Sequence, residues 1–357
     1  MSEGALTLTT YFGERSRVDG RLLADELLDM HTRREIRTSI LLRGIQGFGA
    51  KHRLRTDRLL TLSEDLPLVA LAVDTPQRIE ALAADIAGIA RGGLITLERC
   101  RFGGRDASVD DGLPPPPTQM DEPAWRDSMK LTVYLGRHER IDGSPAFARA
   151  CEILHKSGVA GATVLLGVDG IRHGQRQRAR FFARNTGVPL MVMAVGDAPN
   201  VQTAVRRLEE TLDRPLLTVE RVQVCKRDGQ LLGAPYQPTA AYERCRQTRQ
   251  KLTIVTSEAA RHNNRSVYLE LVHRLRTAVA AGATSLRGIW GFHGDHAPHG
   301  DRLLAIRRHV PVVTVAIDTP ERIASLFDIV DELTRERGLV TSELVPAASA
   351  LHSPPAL

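Results

Sequence analysis

Two short stretches of this 357-residue chain hold residue types at spacings that suit chemistry. Arg43-Gly44-Ile45-Gln46-Gly47-Phe48-Gly49 and Arg287-Gly288-Ile289-Trp290-Gly291-Phe292 each set an arginine beside closely spaced glycines. Glycine lets the backbone approach a ligand and turn its N–H groups toward an anion. A guanidinium grips phosphate as a two-pronged fork. The expectation is therefore a site for a small anionic ligand at Arg43, Gly44, Gly47, Phe48, Gly49, Arg287, Gly288, Gly291 and Phe292. A third stretch, Leu166-Gly167-Val168-Asp169-Gly170-Ile171, keeps Gly167 and Gly170 but has leucine for arginine and Asp169 inside the loop. The three versions of the site are expected to differ chemically. The plain alternative is a glycine-rich turn leaving a strand, with its arginine on a solvated edge. No P-loop and no Gly-x-Gly-x-x-Gly between a strand and a helix is present.

A second constellation is His293, His296 and His299, with Asp295 and Asp301 beside them. Three histidines at three-residue spacing suit a divalent transition metal, although Pro298 and the glycines put them on a loop that is poorly preorganised. A solvated, variable loop is the competing reading. The run Gln175–Arg180 is basic and reads as an exposed helix face. Asp74, Asp197 and Asp318 each precede a helix start, where capping and dipole roles account for them. Nothing resembling a catalytic triad, a paired-carboxylate motif or a nucleophilic cysteine recurs, so no enzymatic activity is expected.

The elements that would position these residues recur. Arg43–Phe48, Leu166–Ile171 and Arg287–Phe292 stand at a period of about 122 residues. Asp74-Thr75-Pro76, Asp197-Ala198-Pro199 and Asp318-Thr319-Pro320 keep the same spacing. Each copy runs strand, helix, strand, strand, helix, strand. In the first and third copies the second helix opens on an N-cap followed by proline, Thr75-Pro76 and Thr319-Pro320. The pattern βαββαβ is the split βαβ motif, so the fold class is α+β, with three tandem ferredoxin-like domains at 5–100, 129–225 and 250–346. Residues 101–128, with four consecutive prolines, and 226–249 read as linkers, and 347–357 as a tail. The third strands are apolar at successive positions, as in Leu68–Val73 and Val312–Ile317. Such strands require burial on both faces. The expectation is that the three sheets pack on one another around a pseudo-threefold axis; three independent beads are the alternative.

Composition bounds the rest. At 42% hydrophobic, 25% charged and a mean hydropathy of −0.18, the chain is neither disordered nor fibrous. No apolar run approaches the roughly 20 residues of a membrane span, and no secretory leader is evident, so a cytoplasmic protein without membrane insertion is expected. The net charge of +6 comes almost wholly from arginine, which points to genome composition as much as to an acidic partner. Cys100, Cys151, Cys225 and Cys245 lack C-x-x-C spacing and read as reduced, mostly buried thiols. An RNA-binding sheet would need exposed aromatics to stack bases, and aromatics are only 4% of the chain. That function and a metal-dependent enzyme built on the histidines are the rival readings; nucleic acid is not the expected partner.

The segment Arg43–Gly49, then Leu62-Ser63-Glu64-Asp65-Leu66-Pro67, the Val73-Asp74 strand end, Tyr134-Leu135-Gly136 and the Gly-Ala-Thr starts at Gly161 and Gly282 resemble the family called domain of unknown function 190, which is grouped with PII-like signalling proteins. The resemblance covers all three copies and is most degenerate in the second. It implies a ferredoxin-like unit that trimerises, so that this chain is a fused trimer: an intramolecular PII-like pseudo-trimer, monomeric in solution. It further implies ligands, commonly adenine nucleotides, in clefts between units beside the loop after the second strand. That loop would dock onto a target protein such as a transporter, channel or enzyme.

Overall fold

The computed structural model describes residues 4–49, 52–56, 65–90, 93–103, 128–172, 174–178, 187–237, 248–293, 299–300 and 310–347. Unit I comprises strands Gly4–Gly13, Thr38–Arg43, Pro67–Asp74 and Leu94–Phe102, with helices Leu23–Arg33 and Pro76–Ile89. Unit II repeats this with strands Ser128–Gly136, Gly161–Leu166, Pro189–Asp197 and Leu216–Arg221 and helices Ala146–Lys156 and Ala198–Thr211. Unit III has strands Thr248–Ser257, Ala283–Arg287, Pro311–Asp318 and Leu339–Pro346 and helices Val267–Thr277 and Pro320–Leu333. In every unit the strands lie antiparallel in the order fourth, first, third, second.

Two features lie beyond the six-element expectation. A two-residue hairpin turn precedes each first helix, at Asp19-Gly20, Asp142-Gly143 and Asn263-Asn264. Positive φ at both central residues makes these the turn that matches strand twist, which Asp-Gly and Asn residues adopt at least cost. The second feature is a short arm strand after each second strand: Gln46–Phe48, Asp169–Arg172 and Trp290–His293. Each arm pairs with the second strand of another unit. The arm of I joins III, that of II joins I, and that of III joins II. The pairings run cyclically, so the units are not independent beads. The segment 226–249 is also more than a linker, because Gln223–Arg227 and Gln230–Leu231 form a hairpin on the edge of unit III's sheet.

Alternation along the third strands places the cores. Leu68, Ala70 and Ala72 lie under unit I's helices with Leu27, Ile79 and Leu82. Val69 and Val73 point the opposite way. There they meet Met191 and Val313, from the third strands of the other units, in one cluster built by all three units. Burying each such side chain contributes about 1.5–3 kcal/mol, which explains strands apolar on both faces. Asp74 and Asp318 close units I and III locally. Asp74 accepts hydrogen bonds from the Arg37 and Thr75 amides at 2.8 and 2.7 Å. Asp318 does the same with Ala281 and Thr319, both at 2.8 Å. These aspartates tie the exit of the third strand to the entry of the second.

Candidate functional site

The glycine-rich stretches are the joints between units. A Cβ on Gly47 would lie 2.6 Å from the Ala283 carbonyl oxygen of unit III, and one on Gly291 would lie 2.3 Å from that of Ala162 in unit II. Gly44, Gly167, Gly170 and Gly288 face similar contacts, each also against Pro67, Pro189 or Pro311. Only a residue without a Cβ lets two backbones come this close. Gly49 has nothing within 4 Å. The following aromatic is an anchor: Phe48 is buried among Val272, Leu275 and Leu326 of unit III, and Phe292 enters the helix-side core of unit II. Ile171 takes that position in unit II and is also buried. A phenylalanine next to a glycine in a polar loop was the one sequence signal for this interlock.

The two arginines expected to grip a ligand are engaged. Arg43 donates to both carboxylate oxygens of Glu14 at 2.9 Å, and Arg287 pairs with Glu258, the equivalent residue of unit III. Unit II has lost both partners, with Leu166 and Arg137 in their places. Its arm uses a different link. Arg176 bridges Asp169 at 2.8 Å to Asp25 and Asp29 on unit I's first helix at 3.1 and 2.6 Å. Arg178 also reaches Asp25, at 2.9 Å. The described part of the basic run is thus a short strand, Gln175–Arg176, followed by a carboxylate-bound arginine, not a helix face; residues 179 and 180 lie outside the described residues. Behind it His31 is kept neutral, its pKa held at about 3 by burial and then by Arg176.

Clefts open between the units. The cleft between II and III holds about 1140 Å³, with Met193, Val195, Val255 and Phe292 on its walls and Arg227, Arg261, Arg335 and Arg337 around it. The cleft between I and II holds about 600 Å³ and is lined by Arg37, Arg78, Arg172 and Arg214 with Glu35 and Asp74. Of the residues expected to bind a ligand, Gly291 and Phe292 line the larger cleft; the others line neither. Sequence reasoning missed Arg214, Arg335 and Arg337. All three sit on the loop from the second helix to the fourth strand. Among the described residues none of them forms an ion pair. His293 also lines the larger cleft. His296 and the side chain of His299 lie outside the described residues, as does the rest of that loop.

The remaining cluster lies where the first and fourth strands of all three units meet. Glu98, Glu220 and Glu343 hold the same place on the fourth strands, with carboxylate oxygens within 4.8 Å of one another. Lys130 approaches Glu220 at 2.7 Å, Glu343 at 3.2 Å and Glu98 at 3.6 Å. Lys251 approaches Glu98 at 2.8 Å and Glu343 at 2.9 Å. Burial pushes the Glu98 carboxyl up, but the two ammonium groups outweigh it and hold its pKa at about 2. Burial lifts Glu220 to about 7, against the pull of Lys130 and with the push of the other two carboxylates. The two lysines already supply cationic counter-charge here, and the arrangement works as a buried ion-pair network. Cys100, Cys151 and Cys225 are buried thiols raised by desolvation, Cys151 to about 12.

A family model described as Uncharacterized ACR, the DUF190 family, matches three tandem segments of the chain: residues 5–102, 128–224 and 249–347. Its limits coincide, within a few residues, with the starts of the first strands and the ends of the fourth.

Proposed function

The chain belongs to the DUF190 family, and from that premise we propose that it is a PII-like regulatory protein whose three ferredoxin-like units form an intramolecular pseudo-trimer. It binds a small anionic ligand, with an adenine nucleotide as the first candidate, in the clefts between units. It passes that state to a protein partner through the loops that follow the second strands. The observation that supports the ligand is the set of cleft arginines without carboxylate partners among the described residues. Arg214 in one cleft, and Arg335 and Arg337 in the other, occupy the same loop of successive units. Unpaired guanidinium groups gathered in a concave site offer an anion charge-assisted hydrogen bonds that no internal carboxylate already uses. Arg43 and Arg287 join the site only if Glu14 and Glu258 release them. In this proposal the protein acts in the cytoplasm as a monomer. No described helix is long and apolar enough to cross a membrane.

A thermal-shift panel of pyrophosphate and adenine nucleotides tests this reading, since a ligand of the native state at one hundred times its Kd adds about 2.7 kcal/mol. The expected result is a stabilising compound whose effect is lost in Arg335→Ala/Arg337→Ala or in Arg214→Ala. A shift that survives both variants, or no shift with any compound, refutes the assignment.

A further inference from the structure

The axial ion-pair network has an uneven count of charges, and the strand register shows where the imbalance arises. In unit II Lys130 stands directly opposite Glu220 across the first and fourth strands, and in unit III Lys251 stands opposite Glu343. Unit I has the same register, but Thr7 stands opposite Glu98. Two lysines therefore serve three carboxylates. Glu98 borrows Lys251 and also accepts from the Thr9 and Thr96 hydroxyls at 3.4 Å. Glu343 touches both ammonium groups. Glu220 touches Lys130 alone among the described charged groups. Thr7 offers nothing in return, since its hydroxyl faces the Cys100 thiol at 3.4 Å. The five charged side chains are each under 9% exposed, and an uncompensated charge at such a depth costs several kcal/mol.

We propose that this cluster holds one dissociable proton, carried on the Glu220 carboxyl, in place of the lysine that Thr7 replaces, so that the joint between the three units is proton-linked. With the proton bound, two carboxylates balance two ammonium groups. Its release to solvent leaves a buried excess of one negative charge shared by strands of every unit. The other groups facing Glu220 do not supply a substitute. Tyr134 and Cys100, from units II and I, stay neutral because burial, reinforced by Glu220 itself, raises both. Tyr11 is raised likewise, first by burial and then by Glu98. Lys130 stays charged, since its three carboxylates together outweigh burial. The Glu220 carboxyl, lifted from 4.5 to about 7, titrates at neutral pH.

The sign follows from linkage. A carboxyl raised in the folded state gives stability that is fully present below pH 4.5 and is lost as pH rises through about 7. One proton lowers the folding equilibrium constant tenfold per pH unit, about 300-fold over that window. The test measures denaturant unfolding of the full chain at pH values from 4.5 to above 7, for the wild type, Glu220→Gln and Thr7→Lys. Glu220→Gln is expected to remove the one-proton slope and to be the more stable protein above pH 7. Thr7→Lys, which completes the third pair, is expected to flatten the slope too; where it does not fold, Glu220→Gln decides. The infrared carbonyl stretch of a protonated carboxyl should be present in the wild type below pH 7, fade above it, and be missing in Glu220→Gln. A slope that persists in Glu220→Gln, or a wild type without the slope and the band, overturns the proposal.

Discussion

Replacing Gly291 by alanine should destabilise the whole protein, because that glycine is where unit III's arm meets unit II. The new Cβ would stand 2.3 Å from the Ala162 carbonyl oxygen and 2.9 Å from Pro311 Cγ. Neither neighbour is a flexible side-chain end, so the arm must retreat. The retreat stretches the Ile289 N–H bond to the Val164 carbonyl, now 2.9 Å, and lifts Phe292 from unit II's core. Overpacking of this kind costs about 1–3 kcal/mol, and a lost hydrogen bond adds about 1 kcal/mol. The expected total is therefore about 2–4 kcal/mol, read from urea unfolding. Gly49→Ala is the matched control: nothing lies within 4 Å of its new Cβ, so it should stay within about 0.5 kcal/mol of the wild type. A Gly291→Ala protein as stable as the wild type refutes the interlock. If it also loses a ligand-induced thermal shift, the glycine serves the ligand instead.

Lys130→Met should cost about 3–5 kcal/mol, since it strips Glu220 of its ion-pair partner at 2.7 Å and leaves buried carboxylates around one ammonium. Adding Glu220→Gln should recover part of that loss, and strictly additive unfolding energies in the double-mutant cycle would contradict the network. On the acid side, Glu98 is held at about 2 against its ordinary 4.5. The stability it brings is present above pH 4.5 and lost as pH falls through about 2, worth about 3 kcal/mol at the usual conversion. Acid titration of unfolding should show that limb in the wild type and a weaker one in Glu98→Gln.

Periodicity and repeat spacing made the triplication, the six elements of each unit and the two-faced burial of the third strands legible without coordinates. These are local properties: a 3.6 or 2.0 period, a Thr-Pro helix start, and a motif recurring along one chain carry them directly. Tertiary structure decided what covers each face and what each special residue is for. Gly44, Gly47, Gly288 and Gly291 look like a ligand cradle in isolation, because a close backbone approach has the same sequence signature whether the visitor is a phosphate or another strand. Arg43 reads as a free guanidinium until Glu14, just past the end of the first strand, is seen to take it. Lys130, Lys251, Glu98, Glu220 and Glu343 pass for ordinary polar positions because the partners of each lie on other strands, far away along the chain. Only the convergence of five strands from three units brings them together and removes the water that would have screened them.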